Sequence, residues 1–260
     1  MKIEYSYQGW LALLGGGEFS FGETLAADRA WVELAPPGPI GFIPAASDSA
    51  DYGRHFSTYM EEAFQREVEV IPVYRARDDR RGKNCERIAA VSAVYIGGGV
   101  SDHLLEALSQ SPAAAALAEK LQSGGVIATI AAAAQATGHS VRSIFGGKPI
   151  AGLGWLPGAA IETNFDPGHD RRLRLLLRQP GVTSALGIPA SGALLLGPQG
   201  EVRTIGPVFA ISQENDDLAV LGGDFDSPGA DAASMNRTTS ELSEDSLEDL
   251  PGNPQGDFDE

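Results

Sequence analysis

Three glycine-rich windows each follow a short apolar run, and each holds residue types that could do chemistry at a strand end. The first, Gly15-Gly16-Gly17, opens a stretch to Thr24 with the spacing G-x-x-x-x-G-K-S/T of a phosphate loop, except that Glu23 replaces the lysine. A carboxylate there repels the phosphates a lysine would hold, so nucleotide binding is excluded. What remains is a tight turn where backbone passes close to a neighbouring strand. The second window runs from Tyr95 through Gly97, Gly98 and Gly99 to Ser101. Outward-facing N–H groups of Gly98 and Gly99 would make an oxyanion hole; the same glycines equally suit a plain strand-to-helix turn. The third runs from Gly124 through Thr129 and Ile130 into Ala131-Ala132-Ala133-Ala134-Gln135. In an open parallel sheet, chemistry sits at the C-terminal end of a central strand. Hydrolases place a serine there on a strained turn between small neighbours. This chain has the strand, the small residues and the helix start, but no hydroxyl at the turn.

Other groups could substitute. The histidines are His55, His103, His139 and His169, and Ser101 and Ser143 are candidate nucleophiles. A replacement triad would put one serine within hydrogen-bond reach of a base such as His169, itself held by a third group. The plainer reading of each of these residues is a surface polar group.

The elements that must position these windows follow from the apolar periodicity. Trp10–Leu14, Ile40–Ile43, Val68–Tyr74, Ala93–Ile96 and Gly125–Ile130 are mostly apolar throughout, the pattern of strands covered on both faces. Between them, Asp51–Arg66, Arg80–Ala90, Asp102–Leu108 and Ala113–Leu121 have helical spacing. Such alternation indicates a parallel sheet with helices on both sides. Beyond about residue 183 come the short runs Leu194–Leu196, Val202–Ile205 and Val208–Ile211. The turn-like Pro198-Gln199-Gly200 separates the first two, which reads as a short antiparallel C-terminal extension.

Composition narrows the function classes. The 260 residues are 43% apolar, enough to bury roughly 70% of the surface that the unfolded chain exposes. The lone Cys85 forms no intramolecular disulfide, and no secretory signal or membrane span is visible, which suggests a cytoplasmic protein. Residues 213–260 hold 14 of the 35 acidic residues and only Arg237 as a base, so most of the net charge of −16 lies there. That acidity argues against nucleic acid and anionic membrane as partners. The division expected is a domain over residues 1–212 and an acidic, disordered tail over 213–260. Within the tail, Thr239 to Leu250 carries a helix start and leucines at 242, 247 and 250, which would suit a protein partner.

In order and spacing, these windows resemble the S51 serine peptidases, the group containing cyanophycinase and dipeptidase E. The resemblance runs from about Leu11 to Ile211. It includes Leu13 to Glu18, Ile40 to Ser47, Gly97 to Leu105 and Gly124 to Gly138, then Gly152 to Phe165, Gly187-Ile188 and Ala193-Leu194. It implies a three-layer α/β/α, flavodoxin-like fold related to class I glutamine amidotransferases. It also implies cleavage of aspartyl peptides without a metal or other cofactor. The family's catalytic residues do not carry over. Where the family has Gly-Thr-Ser-Ala-Gly-Ala this chain has Thr129 to Ala134, which puts Ala131 at the nucleophile's place. Asn164, before Phe165, holds the place of the general-base histidine, and an amide has no proton-accepting nitrogen near neutral pH. The acidic positions hold Pro189 and Ala190, and Val100-Ser101 replaces an Asp-Gln pair. Arg171 and Arg174 match a downstream basic motif with a shift of about one residue, and serve either substrate or an exposed helix face.

The sequence is therefore that of a catalytically degenerate member, a binding, regulatory or scaffold module whose cleft would be lined by Gly98, Gly99, Ser101, Glu162, Asn164 and Arg171. Its expected ligand is an acidic or aspartyl small molecule or peptide. A protein partner on the acidic tail, a homo-oligomer, and a hetero-oligomer with an active paralogue are also compatible. The alternative is an active serine-type hydrolase of aspartyl peptides with a rewired site.

Overall fold

Strands buried on both faces can carry no polar alternation, and Ile40–Ile43, Ala93–Ile96 and Val126–Ile130 are buried at every position. The structure is a computed structural model that describes residues 3–47, 49–75, 78 and 82–221. The first half runs β1 (Trp10–Leu14), α1 (Leu25–Val32), β2 (Ile40–Ile43), α2 (Ala50–Phe64), β3 (Val68–Val70), α3 (Gly82–Ala90) and β4 (Ala93–Ile96). It continues through α4 (Ser101–Leu108), α5 (Pro112–Gln122), β5 (Val126–Ile130) and α6 (Ala132–Ala136). There follow β6 (Ser140–Arg142), β7 (Pro149–Ala151), β8 (Ala159–Thr163), α7 (Arg171–Leu177) and β9 (Ser184–Ile188). The last strands are β10 (Ala193–Leu196), β11 (Val202–Ile205), β12 (Val208–Ser212) and β13 (Ala219–Leu221).

The central sheet has seven strands in the order β11-β10-β1-β5-β4-β2-β3. Strands β1, β5, β4, β2 and β3 run parallel, and β10 and β11 add antiparallel at one edge. Because side chains alternate along a strand, β1 serves two cores. Ala12 and Leu14 face Trp31 of α1 and Phe56 and Met60 of α2. Leu11 and Leu13 face the other layer, with Ile88 of α3, Leu104 of α4 and Leu117 and Leu121 of α5. The result is the three-layer α/β/α arrangement expected from the sequence.

Local chemistry explains the element ends. At α5, Ser111 Oγ accepts the Ala114 N–H at 2.9 Å and Pro112 occupies the first turn, where its missing donor costs nothing. β3 stops at Val70, before Pro72, rather than reaching Tyr74.

The C-terminal extension differs from the expectation. β10 and β11 do extend the main sheet, but β12 joins a second sheet of order β13-β12-β9-β8, and β6 and β7 form a separate hairpin. The structured body also passes Ser212, since β13 pairs Leu221 with Val208 and Ala219 with Ala210. The second sheet lies between two cores. Ile161 and Leu186 face the main domain, whereas Ala160, Ala185 and Ile211 face Leu173, Leu176 and Leu177 of α7. The acidic tail beyond Leu221, with its candidate helix from Thr239 to Leu250, lies outside the described residues. Among the described residues, no helix is long and apolar enough to cross a membrane.

Candidate functional site

The turn from β5 into α6 is built by alanines, the strongest helix formers and the smallest side chains a strand end can carry. Its first residue, Ala131, has φ 50° and ψ −116°. A residue with a Cβ is strained there, at a cost of order 1–3 kcal/mol, and such strain gathers at functional sites. Ala131 thus stands on a strained strand-to-helix turn with a methyl group for a side chain.

The neighbouring positions converge on one feature, the glycine turn after β1. The Ala131 N–H donates to the Leu14 carbonyl at 3.0 Å, and the Asn164 N–H donates to the next carbonyl, Gly15, at 2.8 Å. A Cβ on Gly15 would stand 2.0 Å from the Pro189 carbonyl oxygen, and one on Gly16 would stand 2.2 Å from Asn164 Oδ1. Ser191 donates its N–H to Gly16 at 3.2 Å. Residues 131, 164 and 189 therefore surround Gly15-Gly16, which is the close-passing turn read from the sequence. Asn164 also has a positive φ of 49° and is exposed.

The second glycine window lies against the Ala131 turn. A Cβ on Gly98 would sit 3.5 Å from the Ala131 Cβ. The Gly98 N–H, however, donates to the Tyr52 hydroxyl at 3.2 Å, so the donor expected to face an oxyanion already has an acceptor. Tyr52 lies 46 residues upstream on α2, and no local pattern signals it. Burial pushes its hydroxyl up to about 12, with Glu18 and Asp28 adding to the rise against the lowering effect of the Gly98 bond, so it stays neutral near pH 7. Gly99 packs against the Ala46 carbonyl, which accepts the Val100 N–H at 2.7 Å.

Ser101 joins this site but points its hydroxyl at the Ala132 carbonyl, 3.2 Å away, and at Gln135 Oε1, 3.4 Å away. Gln135 in turn donates to Thr163 Oγ1 at 2.6 Å, tying α6 to β8. Glu162 and Arg171 fare differently. Glu162 follows the Ala160 face of β8, towards α7, and stands 3.7 Å from Arg172. It alternates with Thr163, which faces Gln135, so Glu162 does not line the cleft with Ser101. Arg171 is exposed at the start of α7. Arg174 is committed to Asp170 and Asp216, at 2.8 and 2.7 Å.

The groups proposed for a rewired triad stay apart. His169 Nδ1 pairs with Asp166 Oδ2 at 2.6 Å, and its side chain is 86% exposed. That contact and the Gly168 N–H hold the Asp166 carboxyl below its ordinary range. Ser143 Oγ donates to Asp102 at 2.5 Å and accepts from the N–H groups of Phe145 and Gly146, as a loop anchor does. Among the described residues, neither serine bonds a histidine, and no group of three or more His, Cys, Asp or Glu is gathered for a metal.

Comparison with known proteins agrees with this frame. The pattern of peptidase family S51 matches residues 11–159. A peptidase from an acI-B1 Actinobacterium has a similar structure, with a TM-score of 0.70 and 20% identity over 85% of this chain and 97% of its own. A peptidase E-like protein of Listeria monocytogenes EGD-e gives 0.56 and 15% identity over 76% of this chain and 98% of its own. At these identities the likeness is one of fold. No protein with a curated description matches the sequence.

Proposed function

The chain belongs to peptidase family S51, a serine peptidase family, and from that premise we propose that it is a non-catalytic member serving as a binding, regulatory or scaffold module. One observation carries this reading: Ala131 occupies the strained turn, φ 50° and ψ −116°, with a methyl group where family members carry the serine. The strained backbone is kept while the nucleophile is gone. The other positions around Gly15-Gly16 support it, with an amide at Asn164 and no acidic group at Pro189 or Ala190. Loss of triad members costs on the order of 10⁶ in turnover. An intact oxyanion hole leaves roughly 10³–10⁴ over water, and here the Gly98 donor is engaged by Tyr52. The single cysteine is consistent with action in the cytoplasm.

The rewired-enzyme alternative needs a serine, a base and an orienting group in contact. Its best base, His169, is paired only with Asp166 among the described residues. The test is incubation of the purified chain with aspartyl and isoaspartyl dipeptides, followed by mass spectrometry. Asn164→Ala/His169→Ala protein serves as the control for contaminating peptidases. We expect no turnover above that control. Turnover in the wild type that disappears in the double variant would overturn the proposal.

A further inference from the structure

Glu162, turned away from the alanine turn, borders a cavity of about 180 Å³ on the α7 side of the second sheet. Pro149 of β7 and Leu175 and Leu176 of α7 give this cavity an apolar wall. The remaining wall carries both signs of charge: Glu162, Arg172 and Arg142, the last at the end of β6. Arg172 Nη1 makes an ion pair with Glu162 Oε1 at 3.7 Å, longer than a direct hydrogen bond. The Arg142 side chain lies near enough to act on the Glu162 charge, yet makes no hydrogen bond or ion pair of its own among the described residues. Burial raises the Glu162 carboxyl above its ordinary range, and the two arginines draw it back. The site thus has a carboxylate held by one long ion pair, two guanidinium groups with donors to spare, and an apolar face beside them.

A zwitterion with an apolar side chain satisfies all three. Its carboxylate would bond Arg142 and Arg172, its ammonium would bond Glu162, and its side chain would lie on Pro149, Leu175 and Leu176. An apolar cavity of about 150 Å³ holds benzene, so this one, at about 180 Å³, has room for a branched four-carbon side chain with the charged groups at its open rim. We infer that the pocket between β6, β7, β8 and α7 binds a free α-amino acid with an aliphatic side chain of about the size of leucine. An acidic amino acid fits less well, since its second carboxylate would lie against the leucines. The pocket is separate from the Ala131 turn, so the inference does not depend on the loss of peptidase chemistry.

The test is titration calorimetry on the full chain with L-leucine, 4-methylpentanoate, which lacks the ammonium, 3-methylbutylamine, which lacks the carboxylate, and L-aspartate. Leucine should bind at least about tenfold more tightly than each of the other three. Glu162→Gln should remove the preference for leucine over 4-methylpentanoate. Arg142→Gln, at an exposed position, should weaken leucine and 4-methylpentanoate together and leave the amine unchanged. Absence of leucine binding by protein with a normal denaturation midpoint would overturn the inference. So would equal affinity for leucine and 4-methylpentanoate, or a preference for aspartate.

Discussion

Replacing Ala131 by glycine should make the protein more stable, although it deletes a methyl group. Ala131 sits at φ 50°, ψ −116°, where the Cβ costs about 1–3 kcal/mol and glycine has none to strain. Against that gain, glycine raises the entropy of the unfolded chain, a loss of about 0.4–1 kcal/mol. Ala131 is half-buried, so the lost methyl subtracts about half of the roughly 0.8 kcal/mol for a fully buried carbon. The balance is about 1 kcal/mol in favour of Ala131→Gly, or a rise in Tm of roughly 2–4 °C for a domain of this size. Ala134→Gly, three residues along in the buried body of α6, should do the opposite. It loses helix propensity of about 1 kcal/mol and a buried methyl of about 0.8 kcal/mol. Urea denaturation of the three proteins, with equal m-values, reads the difference. If Ala131→Gly destabilises as Ala134→Gly does, the turn holds no strain, and the argument that a catalytic backbone has outlived its side chain fails.

Three further outcomes can be checked. Asp28 is fully buried and accepts from Trp31 Nε1 and Tyr59 Oη, each at 2.9 Å, and burial raises its carboxyl against the lowering effect of those bonds. The folded state therefore holds the Asp28 proton more tightly than the unfolded chain does. Its contribution is fully present below the unfolded value of about 3.9 and is lost as pH rises through the raised folded value. Asp28→Asn should gain stability relative to wild type across that rise, and urea midpoints that shift in parallel with pH would contradict it. Gly15→Ala would drive a Cβ to 2.0 Å from the Pro189 oxygen and 2.5 Å from that of Ile188, both backbone atoms that cannot rotate away. It should cost about 3 kcal/mol or more in the same urea assay. Arg174→Ala should release the segment around Asp216. Hydrogen exchange at β13 should quicken while exchange at β5 is unchanged, and equal protection at β13 would sink that assignment.

The sequence revealed the central sheet where strands are buried on both faces. Trp10–Leu14, Ile40–Ile43 and Ala93–Ile96 appear with their expected bounds. It missed α1, whose eight residues mix Asp28 and Arg29 with alanines and give a weak stripe. It missed β8 as well, because Ala159–Thr163 is rich in alanine and is held by its parallel partner β9 more than by β propensity. The split of the C-terminal strands between two sheets was hidden because a short apolar run does not say which neighbour it pairs with. In the site, Ala131, Asn164 and Pro189 were named through the resemblance to the family, and each directly follows a strand end. Tyr52 was invisible because its role depends on α2 packing over a turn 46 residues away. Glu162 was assigned to the wrong face because an unrecognised strand conceals its alternation.

The two carbonyls at the end of β1 have a broader consequence. Leu14 and Gly15 grip residues 131 and 164 through peptide N–H groups, which nineteen of the twenty amino acids possess. Shape and reactivity at this place are therefore inherited separately: substitutions can exchange side chains in the mould while leaving the mould intact. On the non-catalytic reading proposed above, the architecture outlasts the reaction, and a return to catalysis would begin from a backbone already in position.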